Sequence, residues 1–461
     1  MTNITDFTNR IFYSYDNYKE QSLTNRRFKH ADILPLIEKL NMVGVFKVDK
    51  AGESVQKRSI NLIKFGHGKT KVFLWSQMHG NESTATMALF DIFNFIGAYD
   101  GFNDVRKRLS ENLSIYFMPM VNPDGAEVFE RRNSLEIDLN RDASAQQSPE
   151  SKILKDTFDN LKSDFGFNLH DQNILYSAGH TFKSAALSFL APPIDYEKTI
   201  DATRSNSMKL IGLLFESLSS FIPGHIAKYK DDFEPRAFGD NFQKSGTSTI
   251  LIESGGWKDD HEKQFIRKLN YTAIITALYS IAVKSYVKEK LDVYNSIPFN
   301  EEDLMDLIIR NLKFKKDEIE FRMDIGITRT EKNINSAKDF FYESVIEDIG
   351  DLSTFFAYED YDFNGMEIIS GKTYDKAFSS LKEILKLKPN ELYQKGFTNI
   401  ILNAPLENII QKDLPFYIFN NSERQKESEI KIDEVPNFIL KNKNKVKFAV
   451  INGFLIDAES I

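Results

Sequence analysis

The sequence predicts an α/β fold for residues 1–287, followed by a smaller β-rich module over residues 288–461. Two observations support the α/β prediction. Short apolar runs rich in β-branched and aromatic residues, typical of buried strands, alternate with longer segments whose apolar side chains recur at helical spacing. Such alternation favours an α/β domain. His and Glu residues also stand at the ends of three apolar runs, at the edge where open α/β sheets bind their ligands.

The predicted elements of the first domain follow one another along the chain. Strands are assigned to the apolar runs and helices to the periodic segments, and Gly, Pro, Asn and Asp residues mark the turns between them. The clearest turn is Asn122-Pro123-Asp124-Gly125, where proline occupies a position whose φ it already satisfies. The expected order is helix 33–40, strands 44–48, 59–64 and from 72, helix 83–98, strand 113–121, helix 149–162, strand 165–170, helix 200–220, strand 247–253 and helix 261–287.

The pattern changes after about residue 290. Short alternating segments at 318–327 and 343–357 are typical of strands, and a helix is expected over 376–387. The chain closes with a strand–turn–strand pattern around Asn452-Gly453. No chemical motif recurs in this region, so the sequence predicts a β-rich module without assigning it a role.

Composition excludes several classes of site and partner. The 461 residues contain no cysteine, which excludes disulfides and cysteine-metal sites, so any metal must be bound by His and carboxylate groups. The formal net charge of −8 argues against nucleic acid as a partner. The first residues have neither a basic start nor an apolar run, and the most apolar long helix, over 272–283, is too short and too polar to span a bilayer. We therefore expect a soluble cytoplasmic protein without a membrane partner.

The stretch over residues 72–82 carries the most informative pattern. It begins as a buried strand and breaks into a turn that holds His79 and Glu82 three positions apart, immediately before a helix. An imidazole and a carboxylate placed together suit zinc, provided that a third ligand arrives from elsewhere. The pair alone is a weak signal, because a surface turn is the commoner explanation. His170 and Glu253, at the ends of two further strands, supply additional candidates.

Five separated motifs occur in one order along residues 40–285. They are His79-x-x-Glu82, then Asn122-Pro123-Asp124-Gly125, then Arg131-x-Asn133 with Asp138-Leu139-Asn140-Arg141, then His170, then Glu253. Together they resemble the zinc carboxypeptidase family, the metallocarboxypeptidases of the carboxypeptidase A type. The resemblance implies a mixed, mostly parallel sheet flanked by helices.

The resemblance also implies a zinc site and a general base. His79, Glu82 and His170 would bind Zn²⁺ and leave one coordination position for water. The metal would lower the pKa of that water and polarise the scissile carbonyl. Glu253 would take the proton and deliver it to the leaving amine. The alternative for Glu253 is a strand-end carboxylate that is paired with Lys or faces solvent.

Three further residues are implied in substrate binding. Arg131 would stabilise the oxyanion of the reaction. Asn140 and Arg141 would hold the terminal carboxylate of the substrate, because a planar guanidinium can donate two parallel hydrogen bonds to a carboxylate. Asp138 resembles the family's carboxylate that fixes the tautomer of the first histidine, although an ordinary turn aspartate is an equal interpretation.

The sequence departs from the family pattern at several positions. Glu136 stands where relatives usually have Gly, and Asp142 stands where Asn is common. Tyr229 is a candidate for the family's mobile tyrosine. The side-chain preference should come from the loop 228–243, whose mixed charges predict no preference.

The predicted function is that of a metallocarboxypeptidase, a zinc-dependent hydrolase that cleaves the C-terminal peptide bond of peptide substrates. The same site could serve an amidase or deacylase that acts on cell-wall peptides, γ-glutamyl or N-acyl amino acid substrates. A catalytically inactive binding protein would have lost a zinc ligand or the general base, and the sequence keeps both.

Overall fold

The computed structural model of the chain describes residues 3–316, 318–403, 414–420 and 428–460. The chain divides into two compact units, Met1–Glu302 and Asp303–Ile461. The helices of the first unit are α1 Ile4–Ser14, α2 His30–Val43, α3 Thr84–Gly97, α4 Asn103–Asn112, α5 Pro123–Val128, α6 Pro149–Leu161, α7 Ala202–Leu218, α8 Phe238–Lys244, α9 Gln264–Val283 and α10 Leu291–Ser296. Its strands are β1 Phe46–Glu53, β2 Ser59–Phe65, β3 Thr70–Ser76, β4 Leu113–Met118, β5 Phe165–Asp171, β6 Ser177–Ala178, β7 Leu187–Leu190, β8 Ile226–Lys228, β9 Ser248–Ser254 and β10 Asn300–Glu301.

An eight-stranded sheet forms the centre of the first unit, in the order β1-β2-β4-β3-β5-β9-β7-β8. The β4–β3, β3–β5, β5–β9 and β7–β8 pairs are parallel, and the other three are antiparallel. The prediction of a mixed, mostly parallel sheet flanked by helices is therefore confirmed. Strands β5 and β9 are buried along almost their whole length, which explains their continuous apolar runs.

Helices cover both faces of this sheet, and alternate residues of β3 serve the two faces. Val72 and Leu74 belong to a core cluster that includes residues of α3 and α9. Phe73 and Trp75 belong to a second cluster, which includes residues of α6 and α8. This separation follows from the period of two along a strand.

A buried ion pair fixes the N-terminal segment to the helices behind the sheet. Arg267 on α9 and Asp91 on α3 are fully buried, and a guanidinium nitrogen lies 2.5 Å from the carboxylate. Arg267 also donates to the carbonyls of Leu23 and Glu20, and Asp91 accepts from the Tyr15 hydroxyl at 3.2 Å. The segment between α1 and α2 is thereby held in place.

The first unit extends fifteen residues beyond the predicted boundary at 287, to Glu302. The reason is that the additional segment supplies buried groups to this unit. The Tyr294 hydroxyl on α10 accepts from the backbone N–H of Ala191, and Asn300 on β10 donates to Gln172 at 3.1 Å. Strand β10 also pairs with β6. Within the described residues, no helix is both long and apolar enough to cross a membrane.

The second unit is rich in β-structure, as predicted. Its elements are β11 Leu304–Lys316, β12 Ile319–Ile334, β13 Asp339–Gly350, β14 Phe356–Asp362, β15 Glu367–Ser370, β16 Lys372–Phe378, α11 Leu381–Ile384, α12 Pro389–Tyr393, β17 Phe397–Leu402, β18 Tyr417–Asn420, β19 Phe438–Asn442, β20 Lys445–Ile451 and β21 Phe454–Asp457. One sheet has the order β13-β12-β11-β15-β19-β20-β21, with β14 beside β11, and a second has the order β16-β17-β18. The helix predicted over 376–387 is wrong for most of its length, because residues up to Phe378 belong to β16, which pairs in parallel with β17, and only Leu381–Ile384 are α-helical.

Candidate metal centre and active site

The β3–α3 junction positions the first two predicted ligands. Strand β3 ends at Ser76, and the loop that carries His79 and Glu82 is packed against α5. A Cβ at Gly80 would lie 2.0 Å from the backbone carbon of Gly125, so only glycine fits this close approach. Gln77 donates to the carbonyl of Gly80 at 2.9 Å, which fixes the turn from within.

The two central strands bring the other predicted residues to the same edge. Strands β5 and β9 are parallel, and His170 is the register partner of Glu253. Both residues stand one position before the end of their strand. Since the carboxyl ends of parallel strands meet at one edge of a sheet, two residues 83 positions apart in sequence become neighbours.

His79, Glu82 and His170 form a tight buried group at this edge. The Nδ1 atom of His79 lies 2.8 Å from one carboxylate oxygen of Glu82, and the Nδ1 atom of His170 lies 2.7 Å from the other. One ligand atom from each residue lies within 4.8 Å of the others, which makes this a group that could hold a metal ion. Burial opposes ionisation of Glu82, but the two imidazoles hold its pKa well below the usual range.

Asp138 supports the first imidazole from the opposite side. Its carboxylate lies 3.0 Å from the Nε2 atom of His79 and also accepts from the backbone N–H of Asn140 at 2.9 Å. Although burial raises the pKa of Asp138, its bonds to His79 and Arg131 hold that pKa below the usual range. An ionised carboxylate only accepts hydrogen bonds, so it favours the tautomer with the proton on Nε2 and leaves the Nδ1 lone pair directed at Glu82.

Arg131 lies directly against the ligand group. Its guanidinium donates to Asp138 at 3.1 Å through Nε and to Glu82 at 3.2 Å through Nη1. The side chain is 43% exposed, which leaves part of the guanidinium accessible to a substrate. The structure thus places this cation beside the predicted metal ligands.

Asn140 and Arg141 occupy the short 3-10 turn Leu139–Arg141 that follows Asp138. The Asn140 side chain accepts from the backbone N–H of Phe238 at 3.0 Å, which joins this turn to the start of α8. Arg141 is exposed and lies 3.5 Å from the carboxylate of Glu234. The bonds of these two residues therefore go to the α8 side of the site rather than to the metal ligands.

Glu253 is buried at the end of β9, beside His170 on β5. Burial raises the pKa of Glu253, and the negative charges of Glu82 and Asp171 raise it further, whereas Arg131 and Lys263 act in the opposite direction. A carboxyl group with a raised pKa is suited to exchange protons near neutral pH.

Two supporting residues were not identified from the sequence. Lys263 is buried beside the N-terminus of α9 and donates to Asp171 at 3.2 Å and to the carbonyl of Ser254 at 3.0 Å. Asp171 also accepts from the Thr84 hydroxyl, while its backbone N–H donates to Glu82. Nothing in the sequence pattern pointed to Lys263, because its contact with Asp171 depends on the packing of α9.

The departures from the family pattern have local explanations. Glu136 has a φ of 60°, the left-handed conformation that favours glycine. Asp142 accepts from the backbone N–H groups of Gln147 and Ser148 and so organises the start of α6.

Burial raises the pKa of Tyr229, and the charge of nearby Glu253 raises it further, so this tyrosine lies close to the site.

Comparison with known proteins identifies the segment that carries most of these residues. Residues 37–159 match the family model described as zinc carboxypeptidase. The predicted family resemblance is confirmed. The zinc carboxypeptidase segment runs from α2 to α6 and includes His79, Glu82, Arg131, Asn140 and Arg141.

Individual relatives of the zinc carboxypeptidase segment are distant. Probable carboxypeptidase 2 of Arthroderma benhamiae is 25% identical over 114 residues, which are 25% of this chain and 20% of that protein. Carboxypeptidase 2 of Trichophyton tonsurans is 25% identical over 142 residues, which are 29% of this chain and 26% of that protein. The chain therefore spans a fifth to about a quarter of the length of these relatives. A crystal structure of a metallo-carboxypeptidase from Burkholderia cenocepacia is 16% identical, with 56% of this chain and 70% of that chain covered and a TM-score of 0.46.

Proposed function

We propose that this protein is a zinc-dependent carboxypeptidase that releases the C-terminal residue of peptides. The observation that carries the proposal is the convergence of two imidazole Nδ1 atoms on the two carboxylate oxygens of Glu82, with Glu253 beside His170 on the next strand. The match of residues 37–159 to the zinc carboxypeptidase model supports it. Substrates of this class are peptides, and a cytoplasmic location stays a prediction.

The donor set fits zinc. Two neutral nitrogens and one carboxylate are the ligands of many catalytic zinc sites, in which a fourth position stays open. His79, Glu82 and His170 would hold the ion, and Asp138 keeps the His79 Nδ1 atom available for it. A zinc ion bound there supplies a Lewis acid that polarises a carbonyl oxygen and makes a bound water acidic.

The remaining residues supply proton transfer and charge stabilisation. Glu253 accepts the proton of the attacking water and then delivers it to the nitrogen of the departing amino acid. The guanidinium of Arg131, anchored by Asp138 and Glu82, is placed to stabilise the negative charge that develops on the scissile carbonyl oxygen. Asn140 and Arg141 bind the terminal carboxylate, for which Arg141 must exchange its contact with Glu234.

A direct test is the release of single amino acids from a mixed peptide library by the purified full chain. The proposal predicts release only from C-termini, loss of release after chelation, and recovery with zinc. Peptides with an amidated C-terminus should not be cleaved, because the carboxylate that Arg141 binds is missing. Zinc binding without release from any peptide, combined with cleavage of N-acyl or γ-glutamyl amino acids, would instead favour the amidase or deacylase activity. If the chain binds no metal on reconstitution, the proposal fails.

A further inference from the structure

Several buried polar atoms on the site face of the central sheet have no hydrogen-bond partner among the described residues. They are the indole N–H of Trp75, both amide atoms of Asn168 and the hydroxyl of Ser188, which we call the neutral polar cluster. All three residues are 1% exposed or less. Since almost all buried polar groups in native proteins are hydrogen-bonded, a buried polar atom without a partner indicates a place for water or a ligand group.

The strand registers place the neutral polar cluster beside the candidate catalytic residues. Asn168 precedes His170 by two positions on β5, so both side chains point to the same face of the sheet. Trp75 is the register partner of Asn168, and Ser188 is the register partner of Glu253. Directly paired residues share a face, so Ser188 continues the row formed by His170 and Glu253, and the Trp75–Asn168 pair lies two residues before that row on the same face.

Space next to the Asn168 amide is preserved by a glycine. A Cβ on Gly239 would lie 3.0 Å from the amide nitrogen of Asn168 and 3.6 Å from Pro192. Gly239 directly follows Phe238, whose N–H is bound by the side chain of Asn140. The Asn168 amide therefore lies immediately behind the turn that carries the candidate carboxylate-binding residues.

We propose that Asn168 determines specificity by hydrogen bonding to the side chain of the substrate's terminal residue, and that the preferred side chain is a carboxamide, as in Asn or Gln. This inference rests on the proposed carboxypeptidase function. A carboxamide can donate to the Asn168 oxygen and accept from its NH₂ group, which satisfies both orphaned atoms at once. An aliphatic terminal side chain would leave both amide atoms of Asn168 buried and unpaired. A site that leaves its own buried polar groups unpaired discriminates most strongly against the substrate that causes this.

The neutral character of the cluster argues against a charged terminal side chain. Trp75, Asn168 and Ser188 offer an N–H, an amide and a hydroxyl, none of which can neutralise a carboxylate, an ammonium or a guanidinium. Burying a charge without a countercharge is far more costly than burying a hydrogen-bonded amide.

The test compares two peptides that differ only in a terminal Asn or Leu, whose side chains have similar size. The zinc-loaded full chain should show a kcat/KM at least about tenfold higher for Asn, and Asn168→Leu should reduce the Asn/Leu ratio by about tenfold to a hundredfold. Gly239→Ala should lower kcat/KM for the Asn peptide, because the added Cβ would crowd the Asn168 amide. The matched control Asn94→Leu, on a helix behind the opposite face, should leave the ratio unchanged.

Binding of N-acetyl-asparagine and N-acetyl-leucine, measured by calorimetry, separates this inference from the proposed function. Preferential binding of N-acetyl-asparagine that depends on Asn168 supports the inference even if no peptide is cleaved. The lack of cleavage would then contradict the proposed carboxypeptidase activity but not the specificity of Asn168. Cleavage with an Asn/Leu ratio near one, or a ratio that Asn168→Leu leaves unchanged, would show that the cluster binds only water and would overturn the inference. Equal binding of both ligands without cleavage would overturn both proposals.

Discussion

Replacement of Asp138 by Asn tests how the candidate metal site is built. One carboxylate oxygen of Asp138 faces the Nε2 atom of His79 and the N–H of Asn140, and the other accepts from Arg131. All of these positions require an acceptor. An Asn side chain must turn its NH₂ group toward either the Arg131 guanidinium or the Nε2 atom of His79. In the second case Nε2 must accept a hydrogen bond, so the neutral imidazole carries its proton on Nδ1, the atom that would bind the metal.

The expected loss follows from the role of such supporting carboxylates. Removing the partner of a metal-binding histidine typically lowers metal affinity or activity by about 10- to 100-fold, which corresponds to about 1.4–2.7 kcal/mol. Because Asp138 holds both His79 and Arg131, the larger loss is expected for activity and the smaller for zinc affinity.

The assay is a competition titration of zinc against a chelator, with the free energy of unfolding of the metal-free proteins measured in urea. Asp124→Asn is the matched control, because Asp124 is also buried and bonded to Ser54 and Arg58 but contacts no candidate metal ligand. The control should lose stability and keep its zinc affinity within about twofold. If Asp138→Asn binds zinc as tightly as the wild type, or if Asp124→Asn loses affinity equally, the supporting role of Asp138 is refuted.

Three further predictions concern the fold. Glu136→Gly should raise the free energy of unfolding by about 1 kcal/mol in urea titrations. Relief of the left-handed backbone contributes about 1–2 kcal/mol, which exceeds the cost of about 0.4–1 kcal/mol from the added entropy of the unfolded chain. A loss of stability would contradict this reasoning. Arg267→Met should lower the free energy of unfolding by about 3–5 kcal/mol, since it leaves the Asp91 carboxylate buried without its cation. An unchanged free energy of unfolding would show that this ion pair contributes nothing to stability. Burial raises the pKa of Asp306 to about 6, above the value of about 3.9 in an unfolded chain, so ionisation of Asp306 opposes folding. The folded state is therefore stabilised by protonated Asp306 below about pH 4, and this stabilisation is lost as the pH rises through 6. Urea titrations should therefore find Asp306→Asn gaining about 2 kcal/mol relative to wild type between pH 4 and pH 7. A difference in stability that does not vary with pH would show that Asp306 is ionised in the folded protein without cost.

The sequence predicted those parts of the structure that local patterns determine. The runs that end in His170 and Glu253 are strands because their apolar, β-prone residues suit a sheet that is buried on both faces. The turn that carries His79 and Glu82 was visible as a break between a strand and a helix. Fixed spacing within each motif then indicated which side chains belong to the site.

Other parts depend on contacts between residues far apart in sequence. The pairing of Ser188 with Glu253 arises only when β7 joins β9 in one register, so no local pattern reveals it. Lys263 reaches Asp171 across 92 positions. The last three residues of β16, 376–378, were predicted as the start of a helix because a short segment fits either period, and the pairing of β16 with β17 decides between them.

The most direct test of the central claim is Glu253→Gln, measured for bound zinc and for peptide cleavage. Glutamine has nearly the same size as glutamate but cannot accept the proton of the attacking water, and Glu253 is separate from the three candidate ligands. We predict that the variant retains one zinc ion per chain and loses turnover by about 10²–10⁴-fold. Near-normal turnover would contradict the assignment of Glu253 as the general base, and loss of zinc would show that Glu253 belongs to the metal site instead.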